Sequence, residues 1–341
     1  MISKIINEDL ITRVKKAIDN VDKIVIVAHV GPDGDAIGSS LALWHYLMTI
    51  DKEPLIIVPN PFPAFLAWMP GAECILDYDH SKEKADDLIA STELIFTLDF
   101  NTASRMGDMA DAVLNAKADK ILVDHHLHPD TYAKVKISYP EISSTSEIIF
   151  RLICRMGDFT MINLACAECI YTGMMTDTGS FTYNSNNHEI YSIIAELVKI
   201  GIDKDDIYKK VFNTYSVDRI RLMGYCLFHK MKVYPEYRTA LITLTLKELS
   251  QFNYINGDSE GFVNIPLSIA GIDFSVFMRE DTDKIKISFR SQGTFPSNKV
   301  AADLFNGGGH LNASGGESST TLIEAVKKFE NALPDYKDFL E

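Results

Sequence analysis

The stretch Lys120-Ile121-Leu122-Val123-Asp124-His125-His126 decides the fold class of this chain. It begins as a short apolar run, the pattern of a buried β-strand, and it ends with a carboxylate and two imidazole groups. Open α/β sheets carry their functional sites at the carboxyl ends of the strands. The stretch therefore predicts a strand that brings Asp124, His125 and His126 to a sheet edge where a site could form.

Three other segments present acidic or imidazole side chains where an element ends. The strand-like run 24–28 leads into His29-Val30-Gly31-Pro32-Asp33-Gly34-Asp35, the run 94–98 leads into Asp99, and a helical stretch leads into Asp177. Carboxylates and imidazoles without thiolates suit Mn²⁺, Mg²⁺ or Fe²⁺ better than a structural zinc ion. Two such ions, roughly 3.5–4 Å apart, would stabilise the attacking and leaving oxygens of a displacement at phosphorus. The pattern indicates a metal-dependent hydrolase in which Asp99 could bridge the two ions through its two oxygens.

Each of these residues also has an ordinary structural explanation when it is taken alone. Pro32-Asp33-Gly34 is a common turn sequence, Asp99 could cap a helix, and His125 could be a buried histidine with satisfied hydrogen bonds. Turn preferences alone would rarely place metal-ligating residue types at the ends of four separate strands or helices. The combination therefore favours the metal site.

The composition excludes several classes of function. The formal net charge is −14, which disfavours binding along duplex DNA because that requires a basic surface. The five cysteines are scattered, unlike a disulfide framework, and Cys166-Ala167-Glu168-Cys169 lies in an apolar context that predicts a buried helix. No apolar stretch approaches the roughly 20 residues that span a bilayer, and the N-terminus lacks a signal-peptide pattern. These features predict a cytoplasmic protein with no membrane partner.

Alternating strand-like and helix-like segments predict an α/β fold with a mostly parallel sheet in the N-terminal part of the chain. Ser144 and Glu147 have the spacing of a capping box, and Gly38-Ser39 is expected to open a helix whose amides favour anions. Expected strands cover 24–28, 55–58, 94–98 and 121–123, and expected helices cover 38–50, 82–90, 108–115, 144–156, 163–175, 189–200, 204–212 and 218–231.

The pattern resets near residue 232 and predicts a second, smaller α/β domain. Expected strands there cover 240–246, 272–278 and 284–290, and expected helices cover 297–305 and 321–332. The run 284–290 alternates with period two, as a half-exposed strand should. We predict a metal-binding catalytic domain over 1–215, a helical connector over 216–231 and a substrate-binding domain over 232–341.

These motifs closely resemble those of the DHH phosphoesterases. The segment from His29 to Ser39 matches the first family motif, H-x-x-P-D-x-D-x-x-G-S, in full. Asp99 stands for the second motif, Asp124-His125-His126 for the third and Asp177-Thr178-Gly179 for the fourth. The segment Gly307-Gly308-Gly309-His310-Leu311-Asn312-Ala313-Ser314-Gly315-Gly316 is similar to the signature of the DHH-associated substrate domain.

The resemblance implies a role for each matched residue of the first domain. Two divalent cations are implied, with Mn²⁺ favoured and Mg²⁺ or Fe²⁺ as alternatives. Asp124 would orient an imidazole, and His126 would contact the phosphate. One cation would be held by His29, Asp33 and Asp99, and the other by Asp35, Asp99, His125 and Asp177.

The second domain is expected to bind the substrate. Arg279 and Arg290 are expected to end neighbouring strands and to face a cleft between the domains, where guanidinium groups match phosphate geometry. The resemblance adds Gly307, Gly308 and Gly309, which would allow close approach to a phosphate or sugar, and His310, which would donate to a phosphate oxygen.

Within the family, this chain, with its two core domains, is most similar to the bifunctional oligoribonucleases of the NrnA type. These enzymes also hydrolyse 3′-phosphoadenosine 5′-phosphate. The resemblance therefore implies hydrolysis of short oligoribonucleotides to 5′-mononucleotides and of that bisphosphate to AMP, and it favours a homodimer. Two alternatives stay open: a signalling phosphodiesterase for cyclic or linear dinucleotides, and a catalytically silent nucleotide-binding protein.

Overall fold

The computed structural model describes residues 3–339, which form two compact units divided between Thr214 and Tyr215. The first unit alternates strands and helices up to its sixth strand and is helical after it. Its elements are α1 (Glu8–Asp19), β1 (Lys23–Val27), α2 (Gly34–Thr49), β2 (Glu53–Val58), β3 (Leu76–Asp77), α3 (Tyr78–Ser91), β4 (Leu94–Leu98), α4 (Ala110–Asn115), β5 (Asp119–Asp124), β6 (Val135–Ser138), α5 (Thr145–Arg155), α6 (Leu164–Asp177), α7 (His188–Ile200) and α8 (Lys204–Phe212).

Within residues 3–339, the sheet of the first unit has six strands in the order β3-β2-β1-β4-β5-β6, and every neighbouring pair is parallel. Ile24 and Ile26 of β1 pack in one apolar cluster, whereas Val25 and Val27 pack in another. Alternate residues of a strand point to opposite faces, so both faces of the sheet are covered. This arrangement confirms the predicted parallel α/β domain.

The second unit contains a smaller mixed sheet in the order β11-β12-β10-β9-β8-β7. The β8–β9 pair is parallel and the other pairs are antiparallel. Its elements are α9 (Val217–Tyr225), β7 (Lys232–Tyr234), β8 (Thr239–Leu244), α10 (Leu246–Gln251), β9 (Phe274–Glu280), β10 (Ile285–Ser291), α11 (Ser297–Phe305), β11 (Gly308–Gly309), β12 (Ala313–Ser318) and α12 (Leu322–Ala332). The helix expected over 218–231 ends as α9 at Tyr225, and a π-helical turn follows.

None of the helices within the described range has the length and hydrophobicity needed to cross a membrane. The C-x-x-C pair lies on α6, where Cys166 and Cys169 are both fully buried. Burial raises the pKa of both thiols. The pair therefore forms part of the apolar core, as the sequence predicts.

The start of α2 differs from the prediction. The helix begins at Gly34, and the Asp33 side chain caps it by accepting from the amides of Asp35 and Ala36. Gly38 consequently lies inside the helix, where its amide bonds within the helix, so the expectation that Gly38-Ser39 opens an anion-binding N-terminus is wrong. An aspartate cap satisfies the first amides four residues earlier than the apolar pattern suggests.

Gly38 instead allows α2 and α6 to approach each other closely. A Cβ atom on Gly38 would lie 2.8 Å from the carbonyl oxygen of Cys169 and 2.9 Å from the Cα of Gly173. Both obstacles are backbone atoms of α6, which cannot rotate away. We therefore expect Gly38→Ala to destabilise the protein by about 1–3 kcal/mol, the usual range for overpacking.

Urea unfolding followed by circular dichroism measures this loss. Gly224→Ala on α9 is the matched control, since a Cβ there meets nothing within 4 Å. It should stabilise its unit by about 0.5–1 kcal/mol, the usual difference between alanine and glycine in a helix. Equal effects of the two substitutions would contradict close packing at Gly38.

A buried charge network ties α5 to α7. Arg151 Nη2 donates to Glu147 at 2.6 Å and to Glu189 at 2.8 Å, and Glu189 also accepts from the amide and hydroxyl of Ser3. Ser144 caps α5 as predicted, but Glu147 bonds to Ser143 rather than to the Ser144 amide. The predicted capping box is therefore only half formed, because Arg151 and Ser143 hold the Glu147 carboxylate.

Burial acts to raise the pKa of Glu189, but the hydrogen bonds from Ser3 and Arg151 outweigh it and hold the pKa at about 2. A carboxyl group whose pKa is lower in the folded state stabilises the protein above its ordinary pKa and loses that contribution as the pH falls toward the folded value. We expect Glu189→Gln to cost about 1.5–3 kcal/mol at pH 7, the range for hydrogen bonds to charged groups.

The same substitution should flatten the acid limb of the stability curve between about pH 4.5 and pH 2. Thermal unfolding at a series of pH values tests this expectation. Glu83→Gln, at an exposed position on α3, is the control and should leave the curve unchanged. If the Glu189→Gln variant lost stability with falling pH as steeply as the wild type, Glu189 would not be the source of that pH dependence.

Candidate metal centre

The carboxyl ends of three adjacent strands converge on the candidate site. β1, β4 and β5 are neighbours in the sheet, and parallel strands end at one edge. His29 follows β1, Asp99 follows β4, and β5 ends at Asp124 with His125 and His126 directly after it. The predicted strand ends therefore meet at one edge of one sheet.

Asp99 lies at the middle of the cluster and faces two groups of side chains. Its Oδ2 lies 3.5 Å from His29 Nε2, and its Oδ1 lies 3.5 Å from His125 Nε2. The Thr145 hydroxyl donates to Oδ1 at 2.9 Å. The backbone of Asp99 has a φ of 66°, which is uncommon for a residue other than glycine and often marks a functional site. One carboxylate thus presents one oxygen to each side.

The first group consists of His29, Asp33 and Asp99, which offer ligand atoms within 4.8 Å of one another. His29 Nε2 lies 3.9 Å from Asp33 Oδ2, while Asp33 Oδ1 caps α2. His29 Nδ1 lies 2.9 Å from the carbonyl oxygen of Val30. A carbonyl oxygen only accepts, so Nδ1 carries the proton and a neutral His29 turns the lone pair of Nε2 toward the carboxylates.

The second group consists of Asp35, His125 and Asp177, whose ligand atoms also lie within 4.8 Å of one another. His125 Nε2 lies 3.9 Å from Asp35 Oδ2 and 3.4 Å from Asp177 Oδ2. The Nδ1 of His125 lies 3.2 Å from the Ile142 carbonyl, which orients this ring in the same way as His29. The geometry thus brings together every residue predicted for the second cation.

The N-terminus of α5 fixes Asp35. The amides of Thr145 and Ser146 donate to its two oxygens at 2.6 and 2.9 Å. These amides belong to the first turn of α5, where helix donors have no partner in the helix itself. Asp35 is 1% exposed, so this support holds a buried carboxylate in one orientation.

Asp124 and His126 form a pair beside the two groups. His126 Nδ1 lies 2.7 Å from Asp124 Oδ1, and the side chain of Asp124 is fully buried. Within the part of the chain that the structure describes, Asp124 Oδ2 has no hydrogen-bond partner. The contact between them suits the orienting role expected for Asp124.

The electrostatics of the cluster favour a bound cation. Burial and then the charges of Asp35 and Asp33 raise the pKa of Asp99 well above its usual range, and burial also raises the pKa of Asp35. Burial lowers the pKa of His29 to about 4, which keeps that imidazole in the neutral form that binds metals. Buried carboxylates so close together are costly unless a cation compensates them. The oxygen and nitrogen donors fit Mn²⁺, Mg²⁺ or Fe²⁺.

Sequence reasoning missed the residues that support the centre. Thr145 and Ser146 hold Asp35 and Asp99. The capping pattern at Ser144 predicted where this helix begins, but not that its first amides donate to Asp35. Arg105 was also missed. Its backbone oxygen accepts from Val30, and its positive charge helps to lower the pKa of His29 and of Asp33. No local pattern distinguishes Arg105 from a surface arginine.

The two arginines predicted to bind substrate lie at opposite ends of a strand pair. Arg279 of β9 is paired with Lys286, and Arg290 of β10 is paired with Ser275. Both strands do end near their arginine, but they are antiparallel, which places the two positions roughly 13 Å apart along the ladder. The two arginines therefore do end neighbouring strands, as predicted, and their substrate-binding role stays a prediction. Arg279 donates to the Tyr254 hydroxyl at 2.6 Å.

The glycine-rich segment of the second unit forms a hairpin from β11 to β12. A Cβ on Gly307 would lie 2.0 Å from the Gly315 carbonyl oxygen, and one on Gly309 would lie 2.6 Å from the Ala313 carbonyl oxygen. These two glycines are therefore required by the hairpin itself. Gly308 has no atom within 4 Å of its Cβ position, and His310 begins the turn by donating its amide to Ala313.

Two family models match this chain. The model of the DHH family, N-terminal domain, matches residues 23–174, and the model of the DHHA1 domain matches residues 239–341. A bifunctional oligoribonuclease and PAP phosphatase NrnA from Thermus thermophilus is 29% identical, over 94% of this chain and 93% of that protein. The cyclic-di-AMP phosphodiesterase GdpP of Bacillus subtilis is 22% identical over 94% of this chain, which spans 49% of that protein.

Solved structures show the same architecture. A crystal structure of an exopolyphosphatase-related protein from Bacteroides fragilis is 60% identical, covers 99% of both chains and has a TM-score of 0.96. RecJ from Thermus thermophilus, crystallised in complex with Mn²⁺, is 11% identical with a TM-score of 0.52, and the match covers 98% of this chain and 53% of RecJ. The likeness to RecJ concerns the fold alone.

Proposed function

This chain belongs to the DHH family and carries a DHHA1 domain, and from that premise we propose that it is a two-metal phosphoesterase. Its substrates are short oligoribonucleotides, which it cleaves to 5′-mononucleotides, and 3′-phosphoadenosine 5′-phosphate, which it converts to AMP. The observation that carries the proposal is the position of Asp99, whose two oxygens each lie 3.5 Å from a different imidazole nitrogen.

We assign the metal ligands from this arrangement. His29, Asp33 and Asp99 would hold one divalent cation, and Asp35, Asp99, His125 and Asp177 would hold the other. When bound, the two cations, with Mn²⁺ as the first choice, supply Lewis-acid stabilisation of the charge that develops on the phosphoryl oxygens.

Neighbouring groups of the protein orient the side chains that we assign to metal and phosphate binding. Asp124 accepts a hydrogen bond from His126 Nδ1 at 2.7 Å and so orients the ring, which we assign as the phosphate contact. The α5 amides and Thr145 fix Asp35 and Asp99 in advance, and fixed groups need little reorganisation during the reaction. In the second unit, Arg279, Arg290, Gly308 and His310 are proposed as substrate-binding residues. Gly307 and Gly309 shape the hairpin that carries Gly308 and His310.

Similarity to NrnA supports the oligoribonuclease and bisphosphate activities. Similarity to GdpP supports the second candidate, a dinucleotide signalling phosphodiesterase. The two candidates share their chemistry and differ in the nucleotide that they accept. A substrate panel is therefore more informative than any single assay.

The panel contains 5′-labelled RNAs of two to five nucleotides, 3′-phosphoadenosine 5′-phosphate, 5′-pApA, cyclic-di-AMP and inorganic polyphosphate, each with Mn²⁺. We expect mononucleotides from the short RNAs and phosphate from the bisphosphate. Faster hydrolysis of cyclic-di-AMP than of any linear substrate would favour the second candidate. Turnover of polyphosphate alone, or of no substrate, would refute the proposal.

A further inference from the structure

The loop that follows Asp177 has an unusual backbone. Gly179, Ser180 and Phe181 are three consecutive residues with φ angles of 53°, 60° and 63°. Residues other than glycine rarely adopt this region, and such conformations persist only where the surrounding structure imposes them. The loop begins two residues after a proposed metal ligand, so its shape determines what lies beside the metal centre.

Thr178 and Phe181 hold the loop in place. The Thr178 carbonyl accepts from the amides of Thr182 and Tyr183, and its hydroxyl accepts from the amide of Phe181. The Phe181 ring packs between Tyr171 and Tyr191. With Phe181 anchored against the core, the turn places the next aromatic side chain, Tyr183, on the outside.

The Tyr183 ring folds back over Gly179. A Cβ on Gly179 would lie 2.2 Å from Cε1 of Tyr183 and 2.8 Å from its Cζ. Glycine at this position therefore allows the ring to lie against the backbone beside Asp177. Tyr183 nevertheless keeps 46% of its surface exposed. The ring is thus held at a fixed place while much of its surface remains accessible.

The partly exposed ligands of the metal centre include Asp177, and the Tyr183 ring lies against Gly179, two residues after it. Asp99 and His125 are almost fully buried, whereas the side chains of Asp33, His126 and Asp177 are 48%, 22% and 28% exposed. A substrate phosphate must approach from the exposed side. Asp177 belongs to that side, and Tyr183 follows it by six residues on the constrained loop.

We propose that Tyr183 stacks on a base of the nucleotide whose phosphate lies at the metal centre, which makes it a specificity-determining residue for nucleotide over inorganic phosphate substrates. This inference rests on the proposed function. Stacking on an aromatic ring contributes to binding of any base, because every base has a π-face. A tyrosine at this position would therefore favour nucleotides without selecting their sequence.

The test compares 5′-pApA with two analogues in which one or the other adenine is replaced by hydrogen. In the wild type, loss of the stacked base should lower kcat/KM by about 10- to 100-fold, the effect expected for one stacked base. Tyr183→Leu should lower kcat/KM for intact 5′-pApA by a similar factor, mainly through KM. It should have little further effect on the analogue that lacks the stacked base, because the two changes remove the same contact.

Three measurements keep the outcome decisive. Tyr183→Phe should retain the base effect, and Tyr208→Leu, at another exposed tyrosine of the same unit, should leave all rates unchanged. The rise in melting temperature on adding Mn²⁺ should be the same in Tyr183→Leu as in the wild type. Any of three results for Tyr183→Leu would overturn the proposal: an equal loss of kcat/KM on 5′-pApA and on both analogues, no loss of kcat/KM on any substrate, or loss of the Mn²⁺-dependent rise in melting temperature. Wild-type protein that hydrolyses no nucleotide would instead show that the proposed function has failed.

Discussion

Asp99→Asn is expected to reduce phosphoesterase turnover by at least about a thousandfold, since loss of several kcal/mol of metal-derived stabilisation corresponds to such a factor. The substitution keeps the shape of the side chain and an oxygen that can accept from Thr145. It removes the negative charge through which both oxygens of Asp99 would bind cations. Initial rates with excess Mn²⁺ on a short 5′-labelled RNA measure the loss.

The folded state of this variant should be intact. Asp99 is 2% exposed and is surrounded by other carboxylates that raise its pKa, so a neutral amide should relieve repulsion in metal-free protein. We expect its melting temperature without metal to equal or exceed that of the wild type. Asp303→Asn, on the exposed face of α11 in the other unit, should leave turnover unchanged. Activity within tenfold of wild type for Asp99→Asn would refute the bridging role.

Removal and return of divalent cations should produce the second large effect. Dialysis against a chelator should abolish turnover, and added Mn²⁺ should restore it. Cation at 100 to 1,000 times its dissociation constant stabilises the folded state by about 2.7–4.1 kcal/mol. For a unit of this size, that corresponds to a rise in melting temperature of roughly 5–15 °C. Differential scanning calorimetry with and without Mn²⁺ measures the shift.

Two ligand variants show whether the effect comes from this centre. Asp35→Asn and Asp99→Asn should each lose most of the Mn²⁺-dependent shift, because each removes a charged ligand. Asp303→Asn should keep it in full. If all three variants responded to Mn²⁺ like the wild type, the stabilising cation would bind elsewhere and the assignment of these residues would be wrong.

Several elements could be predicted accurately because their signals are local. The helices α8 and α11 begin and end at the predicted residues, and β4 ends at Leu98 as expected. The predicted start of α2 was wrong because a side-chain cap at Asp33 extends the helix beyond its apolar pattern. The strands β3, β6, β7, β11 and β12 were not predicted. Three of them are very short, and β6 and β12 have weak apolar patterns.

The sequence by itself determined the kinds of donor at the candidate site and their order along the chain. Strand ends, turns and caps depend on neighbouring residues, so His29, Asp99 and Asp124 could be placed at strand ends, and the parallel order of the strands brings such ends together.

Only the tertiary structure decided how these donors face one another. The amide of Thr145 reaches Asp35 across 110 residues of sequence, and the contact depends on how α5 packs. The approach of α2 to α6 at Gly38, the two-sided orientation of Asp99 and the position of Tyr183 over Gly179 arise in the same way. Such contacts follow from close packing between distant segments, which no local pattern encodes.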